Sequence, residues 1–208
     1  MEFQGASFQS LGGWLLRLAR LDLTVFDDVK DEVAATVPAI TVVVAASFLA
    51  GLGSWLWWIQ QDLGRGVDEK TFEVFFKSLI LGGIFQSALW FLWVYISAMI
   101  LSRGLRASAD INQMVRTMGL AFAPMAISLL MVIRVLTVPF GVIGIAGTLL
   151  LSNVAIQATT TADSRQVVLA NVAGFLVFAI VLGILANISE VYNWGGLAPG
   201  LFFFNLNP

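Results

Sequence analysis

The sequence predicts an all-α, polytopic integral membrane protein: five transmembrane helices preceded by an amphipathic interfacial helix. Three observations lead there. Five long apolar stretches contain no Asp, Glu, Lys, Arg, His or Cys, and about 20 apolar residues in a helix cross the hydrocarbon of a bilayer. Only 12% of the 208 residues are charged, about half the share in soluble domains. Mean hydropathy is +0.89. The division that follows is a cytoplasmic amphipathic segment over 1–36, a five-helix transmembrane domain over 37–188 and an extracytoplasmic aromatic-rich tail over 189–208.

The opening is amphipathic from residue 10 to 34. Leu11, Trp14, Leu15 and Leu18 fall at helical spacing, and Phe26, Val29 and Val33 repeat it. Arg17, Arg20, Asp27, Asp28, Lys30 and Asp31 take the other face. Such a helix lies in the headgroup layer and does not cross it. The charges turn from basic to acidic at Asp22, which predicts two short helices with a bend. No cleavable signal is expected, because the run from Leu11 to Leu18 is broken by Gly and Arg.

Span one is placed at Val37–Ile59, with Pro38 in its first turn and Trp55, Trp57 and Trp58 as interfacial anchors. A connection of mixed charge, Gln60–Lys77, leads to span two at Ser78–Leu101. The basic connection Ser102–Arg116 follows. Between Thr117 and Ile156 the sole charge is Arg134, with Pro139 five residues on. A hairpin over 134–140 avoids a mid-helix Arg and Pro, and it leaves two short spans, Thr117–Ile133 and Phe140–Ile156. Span five is placed at Val167–Ile188 after the polar turn Gln157–Gln166.

Lysines and arginines set the orientation. With the N-terminus inside, Arg17, Arg20, Lys30, Arg103, Arg106, Arg116 and Arg165 are cytoplasmic, against Arg65, Lys70, Lys77 and Arg134 outside. The aromatic clusters at 55–58, 72–76, 192–194 and 202–204 then share the outer interface, and the C-terminus is extracytoplasmic.

Arg103, Arg106, Arg116 and Arg134 are the candidate contacts for anionic lipid or a partner; each also has the plainer roles of topology signal or snorkelling cation. Inside the spans the polar candidates are Gln86, Asn153, Asn171 and Asn187. Asn153 and Asn171 are symmetric about position 162, so a span-four to span-five hairpin puts them at one depth, where their amides can bond. Small pairs such as Ser47/Gly51, Ala50/Ser54, Gly83/Ser87 and Ala170/Gly174, with Gly141, Gly144 and Gly147, mark close helix packing, inside the bundle or between subunits.

Chemistry is excluded more than indicated. The chain has no Cys and no His, so thiolate chemistry, disulfides and the usual ligand for zinc or haem are missing. No catalytic motif is found, and the spans hold no ionisable group for a proton relay. No enzyme activity, catalytic residue, metal or cofactor is expected. A net charge of −2 gives no reason to expect nucleic acid.

Three strings carry a resemblance: LARLDLTVFDDVKDEVAATVPAI before span one, RTMGLAFAPMAISLL at span three and ATTTADSRQVVLANVAGF at span five. In this order they resemble the Yip-one domain family, the Ypt/Rab-interacting integral membrane proteins, in its prokaryotic branch. The resemblance covers roughly residues 15–188. It implies five spans, a cytosolic N-terminus and no enzymatic role, with Arg116 and Pro124 as structural determinants of span three. The family's Asp-Leu-Tyr-Gly-Pro motif is absent, the nearest string being Asp22-Leu23-Thr24-Val25, so Rab binding does not carry over.

The expectation is a Yip-like protein of a prokaryotic cytoplasmic membrane that works through contacts with lipids and other membrane subunits, as a scaffold or organiser. The alternative is an accessory subunit of a respiratory or photosynthetic complex. A small-solute transporter using Gln86, Asn153 and Asn171 is the third reading.

Overall fold

The computed structural model describes residues 3–61 and 69–188. The predicted tail over 189–208, with its aromatic clusters, and Arg65 lie outside them, as do the side chains of Lys70, Arg134 and Asn187. Among the described residues the chain is helical, with one isolated antiparallel bridge between Ala109 and Thr160 and no strand. Five helices are long and apolar enough to cross a membrane: Val33–Gln60, Thr71–Gly104, Ile111–Val132, Thr137–Gln157 and Ser164–Ala186.

The amphipathic opening forms α1 (Phe3–Ala19) and α2 (Val25–Asp31). The bend between them closes α1 with two backbone bonds: Asp22 N donates to Arg17 O and Leu21 N to Leu18 O, both at 2.9 Å. This pattern needs a left-handed residue, usually glycine, and here Leu21 supplies it at φ 60°. Leu18, Phe26 and Val29, on one helical face in the sequence, are buried within the chain, but Val33 is 71% exposed. The chain leaves α2 at Glu32, whose ψ of 95° is extended, and the helical phase is lost there.

Helix α3 (Thr36–Gln61) follows a 3₁₀ turn at Val33–Ala35. The second span is longer than hydropathy indicated. It starts as α4 (Glu69–Phe75), widens into a π-helical segment (Phe76–Leu81), continues as α5 (Gly82–Met99) and ends in a second π segment (Ile100–Gly104). The predicted loop residues Phe72, Phe75 and Phe76 are therefore helical. Trp55 packs edge-on to Phe75 with ring centroids 5.0 Å apart, and Trp58 is buried beside Val74. The tryptophans that close α3 thus serve internal packing as well as any interface.

The third span begins at Ile111, six residues before the predicted start, because Asp110 caps α6 (Ile111–Ala121) by accepting from Asn112 N at 2.8 Å. Pro124 ends the α-helix. Proline lacks an N–H and its ring clashes with the carbonyl four residues earlier. The chain continues as a 3₁₀ helix, Ala123–Val132. A short turn, Arg134–Leu136, leads to α7 (Thr137–Gln157), so the hairpin is tighter than the expected 134–140. The expectation of two short spans is corrected: the third runs from Ile111 to Val132, starting six residues early, and the fourth from Thr137 to Gln157, past both of its predicted ends.

Helix α8 (Ser164–Ile188) opens on a reciprocal cap, with Gln166 N donating to the Asp163 carboxylate at 2.9 Å and Asp163 N to Gln166 Oε1 at 3.2 Å.

The chain divides into two compact units, each containing part of every span. One comprises Met1–Val43, Phe91–Ala123 and Leu149–Phe175; the other comprises Val44–Trp90, Pro124–Thr148 and Leu176–Pro208. In the second unit the small residues sit where backbones meet. A Cβ on Gly51 would lie 2.5 Å from Ser78 O, and one on Gly83 would lie 2.9 Å from the Phe48 ring. Gly144 and Gly147 face Ser128 and Pro124 in the same way. In the first unit, Gly119 abuts Ala39 and Gly174 abuts Ser97 and Trp93.

Candidate functional site

The first unit gathers α1, α2, the 105–110 connection and the 158–163 connection, and with them most of the chain's charge. Arg17 organises the bend, with Nε on Asp22 at 2.7 Å, one terminal nitrogen on Asp28 at 2.6 Å and the other on the Thr24 hydroxyl at 2.9 Å. The Arg17 bond, helped by the Thr24 hydroxyl, holds the Asp22 carboxyl below its ordinary range. Lys30 bonds Asp27 at 2.9 Å, which raises the lysine's pKa.

Arg116 departs from its expected place on a basic surface loop. It lies on α6, is 8% exposed, and donates to Thr36 Oγ1 at 3.0 Å and to the Lys30 carbonyl at 2.6 Å. One residue type thus joins α6 to the end of α2 and the start of α3. Gln113 adds a bond to Asp31 at 2.9 Å. The apolar window alone leaves Arg116 at the end of a loop, whereas the Asp110 cap starts the helix at Ile111 and puts Arg116 in its second turn. Arg116 is an internal anchor with 8% of its surface exposed.

The two connections are clipped together. Thr160 Oγ1 donates to Ser108 O at 2.6 Å, and the Ser108 and Thr161 hydroxyls lie 3.1 Å apart. Arg106, at φ 55°, turns the chain into this clip.

Every described carboxylate in this unit is engaged. Asp22 and Asp28 bind Arg17, Asp27 binds Lys30, and Asp31 binds Gln113. Glu32, Asp110 and Asp163 accept backbone N–H groups. The guanidinium groups of Arg20, Arg103, Arg106 and Arg165 are exposed and make no ion pair or side-chain hydrogen bond among the described residues. Three of these acids are thus ion-paired and four are held by uncharged donors, while four exposed arginines have no bond of their own among the described residues. Arg103 borders a groove of about 200 Å³ formed with Tyr95, Met99, Ser102, Ala109 and Ile111.

Deeper in this unit lies a polar node. Asn171, fully buried, accepts from Trp93 Nε1 at 3.0 Å and donates to Leu149 O at 3.0 Å. Asn153 donates to the same Leu149 carbonyl at 3.2 Å, from its own helix. The expected Asn153–Asn171 bond is not formed. Equal depth brought the two amides to one acceptor and not to each other. Trp93 was not anticipated, since a partner 78 residues away leaves no local signal.

Gln86, in the second unit, is 1% exposed, and its Oε1 has no hydrogen-bond partner among the described residues. Arg134 falls in the turn Arg134–Leu136, and Asn187 lies near the end of α8. Among the described residues, no three His, Cys, Asp or Glu side chains are placed to hold a metal ion. No family model, no curated protein and no solved structure matches this chain.

Proposed function

We propose that this chain is a non-enzymatic, multi-pass protein of a prokaryotic cytoplasmic membrane, acting as a scaffold through contacts with lipids and other membrane proteins. The observation that supports the reading is the bonding of the first unit, where each described carboxylate has a partner inside the chain and the exposed arginines Arg20, Arg103, Arg106 and Arg165 have none among the described residues. Arginines at span ends meet phosphate oxygens well, because their planar fork of donors matches that geometry. Arginines are also more frequent on the cytoplasmic side, which supports the reading that has the N-terminus, the 105–110 connection and the 158–163 connection inside.

The α1–α2 pair, with its charged side knotted at Arg17, suits the headgroup layer. The Yip-like reading rests on the three sequence strings alone. Within it, Arg116 and Pro124 have structural parts, the first as the anchor of α2 and the second as the end of α6.

The orientation is tested with single cysteines in a chain that has none. An impermeant thiol reagent applied to intact cells should label Val135→Cys, at a position 88% exposed, and leave Ser164→Cys unlabelled. The reverse pattern overturns the orientation. The function is tested by purification from native membranes in mild detergent and mass spectrometry of co-purifying chains and lipids. A stoichiometric set of respiratory or photosynthetic subunits would replace the scaffold with the accessory-subunit reading. Solute uptake by liposomes holding the chain alone would sink both.

A further inference from the structure

We propose that the groove beside Arg103 is a headgroup site for an anionic glycerophospholipid, a proposal that rests on the membrane reading above. Phe91, Tyr95, Met99 and Arg103 recur every four residues along the second span, all on one exposed face. Three apolar or aromatic side chains, 42%, 50% and 37% exposed, thus form a strip that ends in a cation. A strip with that order has the polarity of a lipid, with acyl chain first and phosphate last.

The end of the strip is shaped for the phosphate. The π segment Ile100–Gly104 widens the helix by one residue in its last turn, with Leu105 N bonded to Ile100 O and Ala107 N to Leu101 O, both at 2.9 Å. Such bulges recur at functional positions. Here the bulge carries Ser102 and Arg103 on the groove wall, opposite Ala109 and Ile111. The volume of about 200 Å³ is below the roughly 300–1,000 Å³ of a site enclosing a whole drug-sized ligand. It suits a phosphoglycerol group whose acyl chains continue outside along Met99, Tyr95 and Phe91.

Charge selects the lipid class. A zwitterionic headgroup brings an ammonium that needs an acid nearby, and the closest in sequence, Asp110, is not among the residues that line the groove and has Oδ1 turned to the N–H groups of Asn112 and Gln113. Arg103 has no internal partner to give up. The lining of the groove therefore carries one cation and no acid, which favours a headgroup with net negative charge.

The test uses the full chain in phosphatidylcholine bilayers with a trace of spin-labelled phosphatidylglycerol or spin-labelled phosphatidylcholine, reading the motionally restricted fraction by electron paramagnetic resonance. Phosphatidylglycerol should be preferred about fivefold, the factor expected of one arginine near the surface. Arg103→Gln, an exposed change, should bring the preference close to parity, and Arg103→Lys should keep at least half of it. Three results overturn the site: equal restriction of both lipids, an Arg103→Gln variant that keeps the wild-type preference, or an Arg165→Gln variant that loses as much as Arg103→Gln. Displacement of the label by soluble glycerol 3-phosphate overturns it in favour of a soluble anion. A chain released by alkaline carbonate, with no restricted fraction for either lipid, sinks the membrane reading and the site with it; equal restriction sinks the groove alone.

Discussion

Trp93 gives its indole N–H to the Asn171 carboxamide oxygen at 3.0 Å, while Asn171 gives its own amide hydrogen to Leu149 O at the same distance. One asparagine thereby joins the second, fourth and fifth spans without any charged group. Its neighbour Ser97 adds a bond to Ala170 O at 3.2 Å.

Asn171 and Asn153 should therefore differ on substitution. Asn171→Leu removes the side-chain bonds to Trp93 and to Leu149 O, leaving the indole N–H with the Asn171 backbone carbonyl at 3.2 Å, and is expected to cost about 1 kcal/mol. Asn153→Leu loses only a bond within its own helix, and its Oδ1 has no partner to lose, so it should be close to neutral. Unfolding in detergent or by steric trapping in bilayers measures both. Equal costs would show that the node is not organised around Asn171.

Glycines at backbone contacts should behave unlike glycines in open space. A Cβ at position 119 would stand 2.8 Å from Ala39 Cβ and 2.9 Å from Ala39 O, and one at 51 would stand 2.5 Å from Ser78 O. Gly119→Ala and Gly51→Ala are each expected to destabilise by about 1–3 kcal/mol, the usual cost of overpacking. A Cβ at Gly183 meets nothing within 4 Å, and Gly183→Ala should be neutral or stabilise by up to about 1 kcal/mol through helix propensity. A thermal-shift series on the three variants orders them directly.

The α1–α2 bend should be acid-sensitive. Because the folded state lowers the pKa of Asp22 from its ordinary 3.8, the stabilisation is present above that value and is lost as pH falls through the folded pKa. Lys30 works in the opposite sense: its pKa is raised above 10.5, so its contribution holds below that value and is lost only in strong alkali. The Arg17 Nε–H resonance reports Asp22 through their bond. Its titration midpoint should fall below 3.8 and vanish in Asp22→Asn; a midpoint at or above 3.8 would contradict the contact.

Composition and apolar runs were enough to count the five long apolar helices and to put Leu18, Phe26 and Val29 on one helical face. Hydropathy alone was a poor guide to where spans start, because capping is done by polar residues that an apolar window discards. Asp110-Ile-Asn-Gln113 and Asp163-Ser-Arg-Gln166 both have the spacing of a helix start, yet hydropathy leaves the first in the basic connection and the second in the polar turn. Moving one start to Ile111 takes Arg116 from loop to helix interior. The bend was legible at Asp22 from the change of charge, but not the left-handed Leu21, since a leucine carries no signal for positive φ. The free arginines were not legible at all: which cations have partners depends on contacts such as Arg17 to Asp28, eleven residues apart.

The 3₁₀ stretch after Pro124 also changes the reach of its span. A 3₁₀ helix rises about 2.0 Å per residue against 1.5 Å in an α-helix, so Ala123–Val132 extends roughly 5 Å further than the same residues would as α-helix. That is the length of about three α-helical residues. Hydrophobic thickness and residue count are thereby uncoupled, and replacing Pro124 with a helix former would shorten this span and draw the 133–136 turn toward the hydrocarbon.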